Sequence, residues 1–172
     1  MFDGLKRAAT LAASFLFLVV ASAANLAAQD IKQIKLTDAQ VKGFIAAQAD
    51  LAAIADKIQA AGDNPDDALK QQLDEIGKKH GFADFAELDN VAANVSIVMA
   101  GLDPQTGNFN DPLEMLKKEL AEVEKDASVP EEDKKKLVAE LNEAIKTTPP
   151  VENKENIDVV KPNREAIEKA LQ

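Results

Sequence analysis

From Val91 to Leu102 the chain carries only two polar side chains, Asn94 and Ser96, and neither is charged. The flanking segments are striped with Lys, Asp and Glu, so this stretch is the expected centre of the fold and they are its cover. Asp84 stands as N-cap before it, with Glu87 three residues on to complete a capping box. Phe85, Leu88, Val91, Val95, Met99 and Leu102 lie on one face, and Gly101 is the expected end. The pattern on either side is helical as well. Thr37 and Gln40 make a capping box, with Leu36 and Val41 as a hydrophobic staple. Val41, Phe44, Leu51, Ile54 and Ile58 keep helical spacing up to Gly62, which predicts one helix of about six turns. Asn64-Pro65 restarts the chain as cap and first-turn proline, and Leu69, Leu73 and Ile76 form a narrow stripe. Gly81 suits a left-handed turn that folds Phe82 back towards Ile76.

Beyond Leu102 a loop of turn formers (Pro104, Gly107, Asn108, Asn110) leads to Asp111, a cap for a fourth helix with Pro112 in its first turn. Leu113, Leu116, Leu120 and Val123 stripe that helix. A turn at Ser128–Glu131 leads to a fifth, with Leu137, Val138, Leu141 and Ile145 expected to face inward. So short a connection makes the two an antiparallel hairpin. Thr147–Pro150 stops the fifth helix. A tail helix carries Ile157, Val160, Ile167 and Leu171, and Pro162 should split it after about one turn. Asn94-Val95-Ser96-Ile97-Val98 is echoed by Asn156-Ile157-Asp158-Val159-Val160, read as shared helix chemistry rather than a repeat. No stretch reads as a strand pair. The expectation is an all-α, compact bundle of five main helices plus a C-terminal tail helix.

The N-terminus changes the picture of where this bundle works. Lys6 and Arg7 precede an apolar run from Leu11 to Val20, and Ala21-Ser22-Ala23 fits a signal-peptidase site. Cleavage near Ala28 is the alternative, and an uncleaved anchor is another. The run is short for a ~30 Å hydrocarbon layer. The expected organisation is a signal peptide at 1–23, a polar leader at 24–36 and a single helical domain at 37–172. The expected destination is the periplasm or the medium, with no transmembrane span after signal removal. Loss of residues 1–23 removes one acidic and two basic residues and takes the net charge from −10 to −11. That charge disfavours nucleic acid. The seven phenylalanines are the only aromatic residues, so stacking platforms for bases are scarce. The chain has no cysteine, which removes disulfides and thiolate metal sites.

Candidate chemistry is sparse. His80, the only histidine, sits in a helix C-terminal turn without a metal-spaced partner, and its structural reading suffices. The loop from Asp103 to Asp111 offers oxygen ligands, but it departs from the EF-hand pattern at Gln105 and Gly107. No phosphate loop, dinucleotide fingerprint or Ser–His–Asp pattern occurs, so no enzyme activity and no cofactor are expected. The polar candidates are Asn94, Asn90, Asp103, Asn108 and Asp111. Asn94 stands out among them. A buried amide needs partners, so it either ties down a neighbouring segment in the core or lines a pocket.

Leu36-Thr37-Asp38-Ala39-Gln40 resembles the LTxxQ motif of the Spy/CpxP group of periplasmic stress chaperones, which are small and helical. The motif occurs once here, and no activity is carried over. The pattern from Gly81 to Gly107, with the hairpin and the Asn-Ile-x-x-Val tail, resembles uncharacterised small exported helical proteins of proteobacteria. That resemblance implies export and helicity. The functional expectation is a non-enzymatic protein-interaction, adaptor or chaperone-like module whose partner is another envelope protein. The alternative is a small-ligand or divalent-cation binding protein using the central helix and the 102–112 loop. Oligomeric state is left open.

Overall fold

A computed structural model describes residues 32–62 and 64–172; the signal-peptide expectation at 1–23 lies outside them. The described chain opens with an extended segment, 32–36, and enters α1 (Asp38–Ala53). Both halves of the Thr37/Gln40 capping box form, and Leu36 and Val41 are buried in one core. The LTxxQ-like residues are therefore a helix start with an apolar anchor in front of it.

The expected six-turn first helix is two helices. At Ile54 the backbone leaves helical geometry (φ −117°, ψ 11°) and its N–H donates to Leu51 O at 3.1 Å, after which α2 (Ala55–Ala61) begins. The break leaves Ile54 in the core. The next helix, α3 (Asp67–Lys79), is capped by Asp66, whose carboxylate accepts from Leu69 N at 2.8 Å. The helix thus starts two residues later than the Asn64 cap and first-turn Pro65 that the sequence suggested. Gly81 takes φ +91° and Phe82 N donates to Gly77 O at 3.0 Å, the predicted fold-back. Phe82 is buried against α1 at Gly43, where a Cβ would stand 2.6 Å from His80 O.

The helix α4 (Phe85–Gly101) is the centre of the body. Asp84 caps it through Glu87 N at 2.9 Å, and the Glu87 carboxylate accepts from Ala83 N rather than from the cap itself. Leu88, Val91, Val95 and Val98 are fully buried. Packed around α4 are α1, α3 and the one-turn helix α7 (Asn156–Val160). The tail splits as expected. Lys161–Asn163 is a turn of 3-10 helix, and α8 (Arg164–Ala170) then packs on α1.

Helices α5 (Pro112–Lys125) and α6 (Glu131–Thr147) form the expected antiparallel hairpin, but not as bundle members. They pack against each other, and neither contains a buried residue. Leu137, expected to face inward, is 39% exposed, and Met115 is 54% exposed. Among the described residues the fold is all-α, without a strand, and has eight α-helices and one 3-10 turn rather than five helices and a tail. No helix among the described residues is long and apolar enough to cross a membrane.

Candidate functional site

Asn94 projects from the buried face of α4, where valines and alanines surround it. Its Oδ1 accepts from Ile34 N at 3.0 Å, and its Nδ2 donates to Lys32 O at 3.0 Å and to Asn90 O at 2.8 Å. One amide thus satisfies a donor and an acceptor of an extended backbone, as a neighbouring strand would. Asn156, at the start of α7, repeats the arrangement one step along. Its Oδ1 accepts from Leu36 N at 2.8 Å and its Nδ2 donates to Ile34 O at 2.8 Å. Both asparagines are almost fully buried, at 2% and 3% exposure, and no buried polar side-chain atom among the described residues lacks a partner.

The extended segment answers in kind. Gln33 Nε2 donates to Pro150 O at 2.6 Å and its Oε1 accepts from Glu152 N at 2.9 Å. Lys35 pairs with Glu155 at 2.7 Å on the surface. Residues 32–36, read from sequence as part of a polar leader, are therefore built into the body. Ile34 and Leu36 face the core while Gln33 and Lys35 secure the connector before α7. Asn156 was not singled out by sequence reasoning. The signal was present in the echo of Asn94–Val98 by Asn156–Val160: both copies place an amide on a buried face and present it to the same strand-like segment.

The 102–112 loop does a different job. Leu102 and Phe109 form an antiparallel bridge, and Asp103 N donates to Asn108 O at 2.8 Å. One Asp103 carboxylate oxygen accepts from Gln105 N, Thr106 N and Thr106 Oγ1 at 2.7–3.0 Å. Those bonds, first the two from Thr106 and then the nearby Arg164 charge, hold its carboxyl below the usual range. Asp111 caps α5 by accepting from Leu113 N at 3.0 Å. Asn90 contributes its carbonyl to Asn94, and the Asn108 side chain is exposed. The five candidates are thus spread over three tasks and do not converge. Arg164, one of only two arginines in the chain, was also missed. Its guanidinium donates to Asp103 O at 3.0 Å and Pro104 O at 2.6 Å while its Nε bonds Glu168 at 2.8 Å, pinning the loop to α8.

His80 Nε2 lies 2.6 Å from Asp50 Oδ2, and Lys79 Nζ lies 2.7 Å from the same oxygen. These bonds, Lys79's first, hold the Asp50 carboxyl below its ordinary range. The trio ties the end of α3 to α1. Among the described residues no three His, Cys, Asp or Glu side chains are grouped to hold a metal ion.

Two features remain as working surfaces. One is the α5–α6 hairpin with its exposed Met115 and Leu137. The other is a cavity of about 280 Å³ between α1, α2, α4 and α8, walled by Phe44, Leu51, Ile58, Leu88 and Ala92. Asn94 does not line it. Ala92 and Ser96 do, and at about 100° per residue they point to the opposite side of α4 from Asn94. No protein-family model, no curated protein and no solved structure matches this chain.

Proposed function

We propose that this protein is an exported, non-enzymatic interaction module that binds another envelope protein through its α5–α6 hairpin. One observation carries the reading: two amphipathic helices of 14 and 17 residues pack on each other with no buried residue in either. A helix whose apolar stripe is only half covered has surface left for a partner. The hairpin also has ten carboxylates against seven lysines between residues 112 and 147. A partner surface that is apolar with a basic rim complements it. The apolar run Leu11–Val20 behind Lys6 and Arg7 supports export.

The test uses a basic client protein diluted from denaturant, with aggregation followed by light scattering. Suppression by the wild-type chain, and its loss in a Met115→Asp/Leu137→Asp variant with unchanged circular dichroism, is the expected outcome. No suppression by either chain, together with no client cross-linked to the hairpin in periplasmic extract, rejects the reading. Export is checked separately by mass spectrometry of the periplasmic product, whose first residue should be Ala24, or Gln29 if cleavage follows Ala28.

A further inference from the structure

The cavity between α1, α2, α4 and α8 has walls of one kind and a rim of another. Phe44, Leu51, Ile58, Phe85, Leu88 and Ala92 make the interior apolar, while Gln48, Asp89 and Ser96 supply polarity. Part of that rim's donor capacity is already spent. Gln48 Nε2 donates to Phe44 O at 3.1 Å, and Ser96 Oγ donates to Ala92 O at 2.9 Å, both within their own helices. The remaining polar groups of the Gln48, Ser96 and Gln172 side chains are neutral, and the Asp89 carboxylate is the one charged side chain in the lining. Among the described residues Asp89 takes part in no hydrogen bond or ion pair, and no lysine or arginine lines the space. The apolar surroundings push the Asp89 carboxyl above the usual carboxylate range even though the group keeps contact with solvent at the mouth. An unpaired carboxylate at the mouth of an apolar interior, with no cationic side chain in the lining, calls for a ligand that carries positive charge on an alkyl or aryl body.

We infer that this cavity is a binding site for small cationic amphiphiles, in which the apolar body enters between α1 and α4 and the ammonium head meets Asp89 at the mouth. The site is separate from the hairpin and does not depend on the interaction reading. It is lined neither by Asn94 nor by the 102–112 loop, the region in which the sequence suggested a ligand site.

The experiment titrates the purified protein with three probes of one chain length: octylammonium, n-octanol and octanoate. Calorimetry and the melting temperature are the readouts, since a ligand that binds the folded state raises the latter. Octylammonium should bind most tightly, octanol more weakly, and octanoate not measurably. Asp89→Asn should weaken octylammonium about tenfold, to the octanol level, and leave octanol unchanged; that factor corresponds to about 1.4 kcal/mol. Ala92→Phe should abolish binding of all three by filling the interior. Should Ala92→Phe fail to fold, chemical shifts of the Ala52, Ala55 and Ala92 methyls in the wild-type protein report the site directly. The inference is overturned if octanoate binds as well as octylammonium, if Asp89→Asn leaves octylammonium unaffected, or if no probe binds. Binding with no shift at those three methyls overturns it too, because the amine is then held elsewhere on an acidic surface.

Discussion

A primary amide carries a donor and an acceptor on one rigid plane, which lets a single side chain stand in for a strand edge. Asn94 and Asn156 use that property at consecutive steps of the same extended segment, and they meet at Ile34: Asn94 takes its N–H and Asn156 its carbonyl. Replacing either by alanine leaves buried backbone groups of residues 32–36 without partners, so each variant should lose about 1–3 kcal/mol in urea unfolding. Because the two share Ile34, the double variant should lose measurably less than the two single losses combined. Simple additivity would show that the segment does not dock as one unit. The sequence made Asn94 conspicuous as a polar residue in an apolar helix. It could not disclose Asn156 as its counterpart, since the bonds join residues about 60 and 120 positions apart and the shared target carries no signature of being a target.

At the scale of the element, local chemistry proved the readable part. Thr37, Asp84 and Asp111 cap the helices that follow them, Gly81 takes the left-handed turn, and Pro162 divides the tail. Each depends on neighbours within a few residues. The break at Ile54 has no such signal, because helix-forming alanines flank it; the break coincides with burial of its own side chain, a tertiary effect. The hairpin shows the complementary limit. Periodicity in α5 and α6 reveals an apolar face but not what covers it, and here the partner helix is the main cover. Close approach between elements gives a sharp test. A Cβ on Gly43 would stand 2.6 Å from His80 O and 3.1 Å from the Phe82 ring. Gly43→Ala should therefore lower stability by about 1–3 kcal/mol despite alanine's better helix propensity. A rise in the denaturant midpoint would mean that α1 and the α3–α4 turn are not in tight contact.

Over the whole molecule, charge and stability are linked through the carboxylates. Asp38, Asp50, Asp103, Asp126 and Glu155 all have carboxyls held below their ordinary range, mainly by hydrogen bonds. Their folded values lie below the unfolded ones, so their stabilisation is complete above an unfolded value of about 4 and is lost as pH falls through the folded values. Asp89 runs the other way, since protonation removes its desolvation penalty. Denaturant midpoints should accordingly be flat from about pH 6 to 8 and fall below about pH 4. Asp50→Asn should shallow that fall, whereas an unchanged acid limb would deny the Lys79–Asp50–His80 trio its role.

The same view separates a body closed around α4 from a hairpin that packs chiefly on itself and contains no buried residue. Elements with few buried apolar contacts open at lower free energy than the core. Hydrogen exchange followed by mass spectrometry reads both halves of that claim in one experiment. Peptides covering 112–147 should exchange early in the free protein, those covering 32–36 and 85–101 should exchange last, and a bound client should slow exchange in 112–147 alone. A hairpin protected as strongly as α4 in the free protein, or a client that leaves 112–147 unchanged, would contradict the account.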